Sequence, residues 1–344
     1  MAGDTPTGSR KDHHLRICLE EDVGFAGVRN GFERYRFDHD ALPEVDLAAV
    51  TTETRAFGKA LSMPLMIGAM TGGTAKAGEV NRILAAAAQQ TGIGFALGSQ
   101  RRMLEEDDAF ESYDIRQIAP DVLLMGNIGA VQLNCGVTPE MVSRLVRRTG
   151  CDVMAFHLNP LQEAIQPEGD TNFAGLCHKI EEAAAALPVP VVLKEVGAGI
   201  SAVTAQKIRR LPVGGVEVAG VGGTSWSRIE ALRSSNRIQA DTGEELASWG
   251  IPTAESLVTC RRMLPDLPII CSGGMRTGLE IAKALALGAD LCAMALPFLQ
   301  AAQGGVDAVV ERIEQIRYEL RTVMFLTGAA TVEGLRTRAV LRRI

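Results

Sequence analysis

The sequence predicts an α/β fold, a single (β/α)8 TIM barrel with an N-terminal arm or cap, and three observations predict it. Eight short apolar runs recur, at residues 65–69, 93–97, 122–126, 153–156, 191–194, 215–219, 269–272 and 291–294. Each gives way to a glycine-rich or polar turn. Between them lie amphipathic or alanine-rich stretches of helical character, at 79–91, 139–149, 173–186, 202–211, 254–263 and 278–287. Alternating strands and helices with short connections imply parallel pairing. Eight such units favour a closed barrel over an open sheet.

Composition agrees with this reading. The 344 residues are 47% hydrophobic but 4% aromatic, so the apolar mass is Ala, Val, Leu and Ile. That suits strands buried on both faces beneath alanine-rich helices. A net charge of −6 offers no basic face for nucleic acid. The arginines between Arg336 and Arg343 read as an exposed helix face or tail. Seven scattered cysteines with no CxxC spacing read as reduced thiols of a cytoplasmic protein. The polar N-terminal segment lacks the apolar core of a signal peptide. The apolar run at 183–193 is too short for a bilayer, which needs ~20 residues, so no membrane partner is expected.

Taken in order, residues 1–60 are charged and carry only short elements, and they read as an arm or cap over one end of a barrel domain at 61–344. The first barrel strand ends in Ala69-Met70-Thr71-Gly72-Gly73, which is not the G-x-G-x-x-G that a dinucleotide-binding open sheet needs there. Residues 225–252, after strand six, are long and polar and read as a lid or mobile loop. A helix at 306–327 closes the chain.

The chemistry gathers at strand ends. Strand four runs straight into His157, Asn159, Gln162 and Glu163, an imidazole, two amides and a carboxylate at the barrel end where catalysis occurs. Lys194 closes the apolar strand five, where an ammonium wants an anion. Glu195 points to the other face of the strand and is not that partner. Thr71, Ser99 and Asn127 follow strands one, two and three; each alone reads as a turn or cap residue, but together they form a ring of hydrogen-bonding groups. After strands seven and eight come Gly273-Gly274-Met275-Arg276 and Ala295-Leu296. Glycine turns in these two loops form a recurrent phosphate site in barrels.

Eight stretches then occur in a telling order: Arg10-Lys11-Asp12-His13-His14, Met70-Thr71-Gly72-Gly73, Gly98-Ser99-Gln100-Arg101, His157-x-Asn159-x-x-Gln162-Glu163, Pro167-Glu168-Gly169-Asp170, Lys194-Glu195-Val196-Gly197, Gly222-Gly223-Thr224-Ser225 and Ser272-Gly273-Gly274. Together they resemble type 2, FMN-dependent isopentenyl diphosphate isomerase, over residues 9 to 330. The N-terminal R-K-x-x-H and the Gln-Glu pair after strand four carry most of the weight.

The resemblance implies an enzyme that interconverts isopentenyl and dimethylallyl diphosphate, with reduced FMN as acid/base, Mg2+ on the diphosphate, and NAD(P)H as the flavin's reductant. It implies that Arg10, Lys11, His14, Ser99, Gln100, Arg101 and Gln162 bind substrate. Gln162, His157 and Asn159 would serve catalysis, and Glu163 would hold Mg2+. FMN would be held by Ala69, Met70, Thr71, Ser99, Asn127, Lys194, Thr224, Gly273, Gly274, Met275, Arg276, Ala295 and Leu296. Ala219 departs from the family, which often has a small hydroxyl or Gly there. The resemblance implies a homotetramer or homo-octamer, as is usual in the family.

The residues make chemical sense on their own account. A diphosphate wants several cations, and Arg forks its oxygens while Lys adds a point charge. One carboxylate plus phosphate oxygens and waters is a common Mg2+ shell. Three rivals are weaker. A 2-hydroxy-acid oxidase needs a catalytic His followed by Gly and Arg after strand six, where this chain has Val221-Gly222-Gly223-Thr224-Ser225-Trp226 and no His. An inosine monophosphate dehydrogenase needs a Cys loop, and no Cys lies between Cys177 and Cys260. A flavin-binding scaffold has no use for Arg10, Gln162 and Glu163.

Overall fold

Eight parallel strands close into a barrel in a computed structural model that describes residues 6–25, 27–338 and 340–344. In chain order they are β1 (Leu65–Ile67), β2 (Gly94–Ala96), β3 (Leu124–Gly129), β4 (Val153–Leu158), β5 (Val191–Glu195), β6 (Gly215–Glu217), β7 (Ile269–Ser272) and β8 (Leu291–Met294). Each pairs with the next, and β8 returns to β1. Helices cover the outside, and their starts follow their caps: Thr74, Thr138 and Thr277 each accept an N–H of the first turn.

The barrel interior is layered. Met66, Ala96, Met125, Ala155, Val192, Ile270 and Leu291 belong to one buried apolar cluster. Leu61 joins them from a two-stranded hairpin, Thr54–Ala56 with Lys59–Leu61. Phe57 at the hairpin turn packs on the same cluster, so the hairpin closes the N-terminal end of the barrel. The 1–60 segment therefore serves both ends. Its first helix, Pro6–Glu20, lies at the other one, with Leu15 packed on Ala77 and Leu299, and Ile17 on Val23 and Ile229.

Two expectations need correction. Residues 225–252 are not a loop but two helices, Trp226–Arg233 and Arg237–Glu245. Ser225 and Asn236, polar residues that suggested a loop, are the N-caps. The buried Ile229, Ala231 and Gly243 face the body of the protein. The arginine-rich C-terminus is not a free tail either. Leu341–Arg343 pairs antiparallel with Tyr35–Phe37, and Arg336 Nη2 reaches Asp290 Oδ1 at 2.6 Å.

The same staple occurs twice beneath the barrel. Arg116 donates to the carbonyls of Ala119, Pro120 and Val122 and to Asp152 Oδ2, which also accepts Leu124 N–H. Arg261 donates to Leu264, Pro265 and Leu267 and to Asp290 Oδ2, which accepts Ile269 N–H. Each guanidinium gathers the carbonyls that a helix-to-strand turn would otherwise leave open, and anchors the start of β3 or β7. Among the described residues, no helix is long and apolar enough to cross a membrane.

Candidate active site

The carboxyl ends of the strands carry a polar layer above the apolar interior. Asn127, His157, Lys194, Glu217 and Ser272 sit on β3 to β7 in turn. They are linked: His157 Nδ1 lies 2.8 Å from Asn127 Oδ1, Lys194 Nζ 3.4 Å from Glu217 Oε1, and Ser272 Oγ donates to Glu217 Oε1 at 2.7 Å. Burial, helped by the charges of Lys194, Lys11 and Arg10, pulls the His157 pKa down to about 3. The ring is neutral at ordinary pH. With Nδ1–H donated to the Asn127 carbonyl oxygen, Nε2 is left as an acceptor.

This layer floors a solvent-connected cavity of about 240 Å³. Every candidate residue named from the sequence lines it except Gln100. Gln100 is fully buried behind the wall, where its Oε1 accepts Asn127 N–H at 2.9 Å. Its Oε1 holds Asn127 and its Nε2 faces Met103 Sδ, so, contrary to expectation, its side chain does not reach the cavity.

The helix Pro6–Glu20 brings Arg10, Lys11 and His14 to the cavity. Lys11 Nζ donates to the Ser99 carbonyl at 2.7 Å and to Tyr113 Oη at 2.6 Å. Burial and the neighbouring Arg10 and Arg102 bring its pKa down to about 7. His14 is also shifted down by burial, although Glu230 opposes this. The sequence alone left open whether His13 or His14 meets the diphosphate; His13 is exposed. Arg101 is held by two carboxylates, Asp170 Oδ2 and Glu105 Oε1, both at 2.8 Å. Arg10 lies 3.9 Å from Glu168.

After β4, Asn159 Nδ2 donates to Glu163 Oε1 at 2.8 Å and to Gln162 Oε1 at 3.1 Å. Gln162 Nε2 donates to Glu230 Oε1 at 2.9 Å. Glu230 is fully buried and also contacts Arg233 and, at 3.0 Å, His14 Nε2. Burial disfavours its charge, but His14, Arg233 and Gln162 outweigh this and hold its carboxyl at about 2.

The family model for FMN-dependent dehydrogenases matches residues 11–118 and 131–342. The isopentenyl-diphosphate delta-isomerase of Nostoc sp. is 46% identical over 338 residues, which is 98% of this chain and 97% of that protein. Its counterpart in Mycolicibacterium vanbaalenii is 46% identical over 331 residues, 96% of each chain. The chain belongs to the FMN-dependent isopentenyl-diphosphate delta-isomerases. Solved structures of mandelate oxidase share its fold: with benzoyl-formic acid, 20% identity, TM-score 0.66, over 97% of this chain and 93% of that chain. The complex with (S)-2-phenylpropionate gives the same identity and score, over 98% and 97%.

The site fits the FMN that this family's name implies. Thr71 Oγ1 and Glu217 Oε2 are buried polar atoms of cavity-lining residues with no hydrogen-bond partner among the described residues. The Arg276 guanidinium donates to the Met275 carbonyl and meets no carboxylate within salt-bridge range among the described residues, as suits a group meant for an anion. Gly273 and Gly274 have φ of +111° and +72°. A Cβ on Gly273 would lie 2.2 Å from the Gly220 carbonyl oxygen, and one on Gly274 2.1 Å from that of Gly222. Close packing against the loop after β6 already requires both glycines, whatever they also do for a phosphate. Ala219 takes φ +36°, where Gly would rest without strain.

Glu163 is the one residue that the resemblance offers as a ligand for Mg2+. No cluster of three His, Cys, Asp or Glu suited to a metal occurs among the described residues. Glu163 accepts Asn159, Gln166 and the Asp170 N–H. An ionised carboxylate offers about four lone-pair sites, so one is left for a cation whose remaining ligands come from phosphate and water.

Glu217, Tyr113 and Glu230 escaped the sequence reading. Glu217 carried the same signal as Lys194, an ionisable residue within an apolar strand. Tyr113 and Glu230 carried none, because one lies in an irregular segment and the other on a helix that reads as a loop.

Proposed function

We propose that this chain interconverts isopentenyl diphosphate and dimethylallyl diphosphate. The carrying observation is that Arg10, Lys11, Arg101 and Glu163 open onto the same cavity as Lys194, Arg276 and the Gly273–Gly274 turn. A flavin barrel that only moved hydride would not need the first group. Reduced FMN supplies an electron-rich ring that steadies a cation-like carbon and carries an exchangeable proton. NAD(P)H would serve as its reductant in this reading, and Glu163 would hold a Mg2+ that offsets the charge of the diphosphate.

The protein's own groups do the rest. Arg10, Lys11, His14, Ser99 and Arg101 bind diphosphate, and anchoring that remote group holds the allylic carbons in place. Thr71, Asn127, Lys194 and Thr224 hold the ring, and the loops around Gly273 and Ala295 hold its phosphate. Gln162, clamped between Glu230 and Asn159, presents one fixed amide orientation to the carbons. His157 is neutral and shapes the site as an acceptor, with Asn159 bracing the Gln162–Glu163 pair. Assembly as a homotetramer or homo-octamer rests on the family resemblance, and residence in the cytoplasm on the scattered cysteines and the polar N-terminal segment.

The test is turnover of isopentenyl diphosphate by purified protein with FMN, a reductant and Mg2+. Arg10→Ala should raise KM, costing about 1.5–3 kcal/mol for a charge-assisted hydrogen bond. FMN binding without turnover would reject the isomerase reading; no FMN binding in either redox state would reject the flavin reading.

A further inference from the structure

The cavity floor holds a carboxylate oxygen with nothing to accept. Glu217 ends β6 and is 3% exposed. Ser272 Oγ donates to its Oε1 at 2.7 Å, and Lys194 Nζ lies 3.4 Å from that same oxygen. These contacts hold the carboxylate in place. Its Oε2 is buried with no hydrogen-bond partner among the described residues, and the residue lines the cavity. A buried carboxylate oxygen without a donor is costly. The site therefore asks for an N–H or O–H from whatever fills the cavity.

The pyrimidine edge of a flavin presents acceptors at N1 and the C2 carbonyl, then a donor at the N3–H imide. An ammonium such as that of Lys194 only donates, and a carboxylate such as that of Glu217 only accepts. A fixed donor beside a fixed acceptor matches a carbonyl beside an imide N–H. We propose that Glu217 accepts a hydrogen bond from N3–H of FMN and, with Lys194, sets which way the ring lies in the cavity. The inference rests on the flavin reading above. It adds a ring ligand on β6, the strand from which the sequence supplied none.

N3-methyl-FMN, which has no proton at that nitrogen, is the probe. Deflavinated protein is titrated with FMN and with N3-methyl-FMN, and flavin fluorescence gives both affinities. Wild type should bind the methylated flavin about 30-fold more weakly, as expected for a lost hydrogen bond to a charged group. Glu217→Ala should bind the two within about threefold of each other. Glu217→Gln, which keeps the side chain's shape but is a weaker acceptor, should fall between them. The wild-type comparison stands even if Glu217→Ala fails to fold. Equal affinities in wild type would overturn the proposal and assign the oxygen to a ribityl hydroxyl or water. Discrimination that persists undiminished in both variants would also overturn it, since the barrier would then lie elsewhere. Wild type that binds neither flavin would sink the flavin reading itself.

Discussion

Gln162 donates its side-chain N–H to Glu230 at 2.9 Å while its carbonyl oxygen accepts Asn159, so both ends of the amide are assigned. A neutral amide left to rotate presents either group to the substrate; this one does not. Glu230→Ala should lower kcat by about 100-fold, the scale of a misplaced catalytic group, while FMN stays bound. Stopped assays beside the flavin absorbance spectrum check it. Loss of flavin together with activity would mean the change has disturbed the barrel instead.

Lys11 and His14 enter the ligand-free site short of protons. Lys11 has a pKa of about 7, and His14 lies below its usual value. A neutral His14 donates from one ring nitrogen, and a protonated ring donates from both. Diphosphate binding near pH 7.5 should therefore take up protons. Calorimetry in buffers of different ionisation enthalpy measures this, and KM should rise as pH climbs above 7.

Lys11 also costs stability. A base whose folded pKa is lowered from 10.5 to about 7 is protonated in the unfolded chain and not in the fold between those values. Stability from this residue therefore rises with pH from about 7 to 10.5. Lys11→Met should raise the Tm of the ligand-free protein at pH 7 and raise KM for the diphosphate. An unchanged Tm with a raised KM would show that the amine is well solvated before substrate arrives.

Acid should act through two groups. The Glu230 carboxyl, depressed from 4.5 to about 2, supports the fold above pH 4.5, and that support is lost as pH falls towards 2. His157, lowered from 6.5 to about 3, is neutral in the fold and protonated in the unfolded chain between those values, so stability falls with pH over that range too. The Tm of Glu230→Gln should fall less steeply between pH 4.5 and 3 than that of wild type.

Glu163→Gln should abolish the Mg2+ dependence of activity and leave FMN affinity near wild type, with a modest fall in Tm. The amide keeps the side chain's size and removes the charge a cation needs, but it has one acceptor where Asn159 and the Asp170 N–H use two, so one donor loses its partner. Burial raises the Glu163 pKa, so Mg2+ affinity should weaken as pH drops. Activity that keeps its Mg2+ response in Glu163→Gln would place the metal elsewhere.

Arg261→Ala should lower stability by about 2–3 kcal/mol without changing KM, because it frees several turn carbonyls at the barrel end away from the site and leaves Asp290 to Arg336 and the Ile269 N–H. Arg116→Ala should behave alike. Denaturant midpoints measure both, and a large KM change in either would mean the two barrel ends are coupled.

The sequence by itself determined the barrel, because β and helical periods are local: β7 and β8 occupy the residues their apolar runs marked, and Pro139–Thr149 begins and ends as its cap and glycine require. It also marked Lys194, His157, Asn159, Gln162 and Glu163, since a polar residue closing an apolar strand is visible along the chain. Tertiary structure alone decided which groups those residues meet. Glu230 lies 68 residues beyond Gln162 and reaches it only because Trp226–Arg233 folds as a helix over the β4 loop. Tyr113 lies 102 residues from Lys11. Gln100, one residue from Arg101 in a stretch that reads as a binding motif, turns inward. Periodicity fixes which face a side chain takes; the partner on that face comes from packing between distant segments, and no local pattern records it.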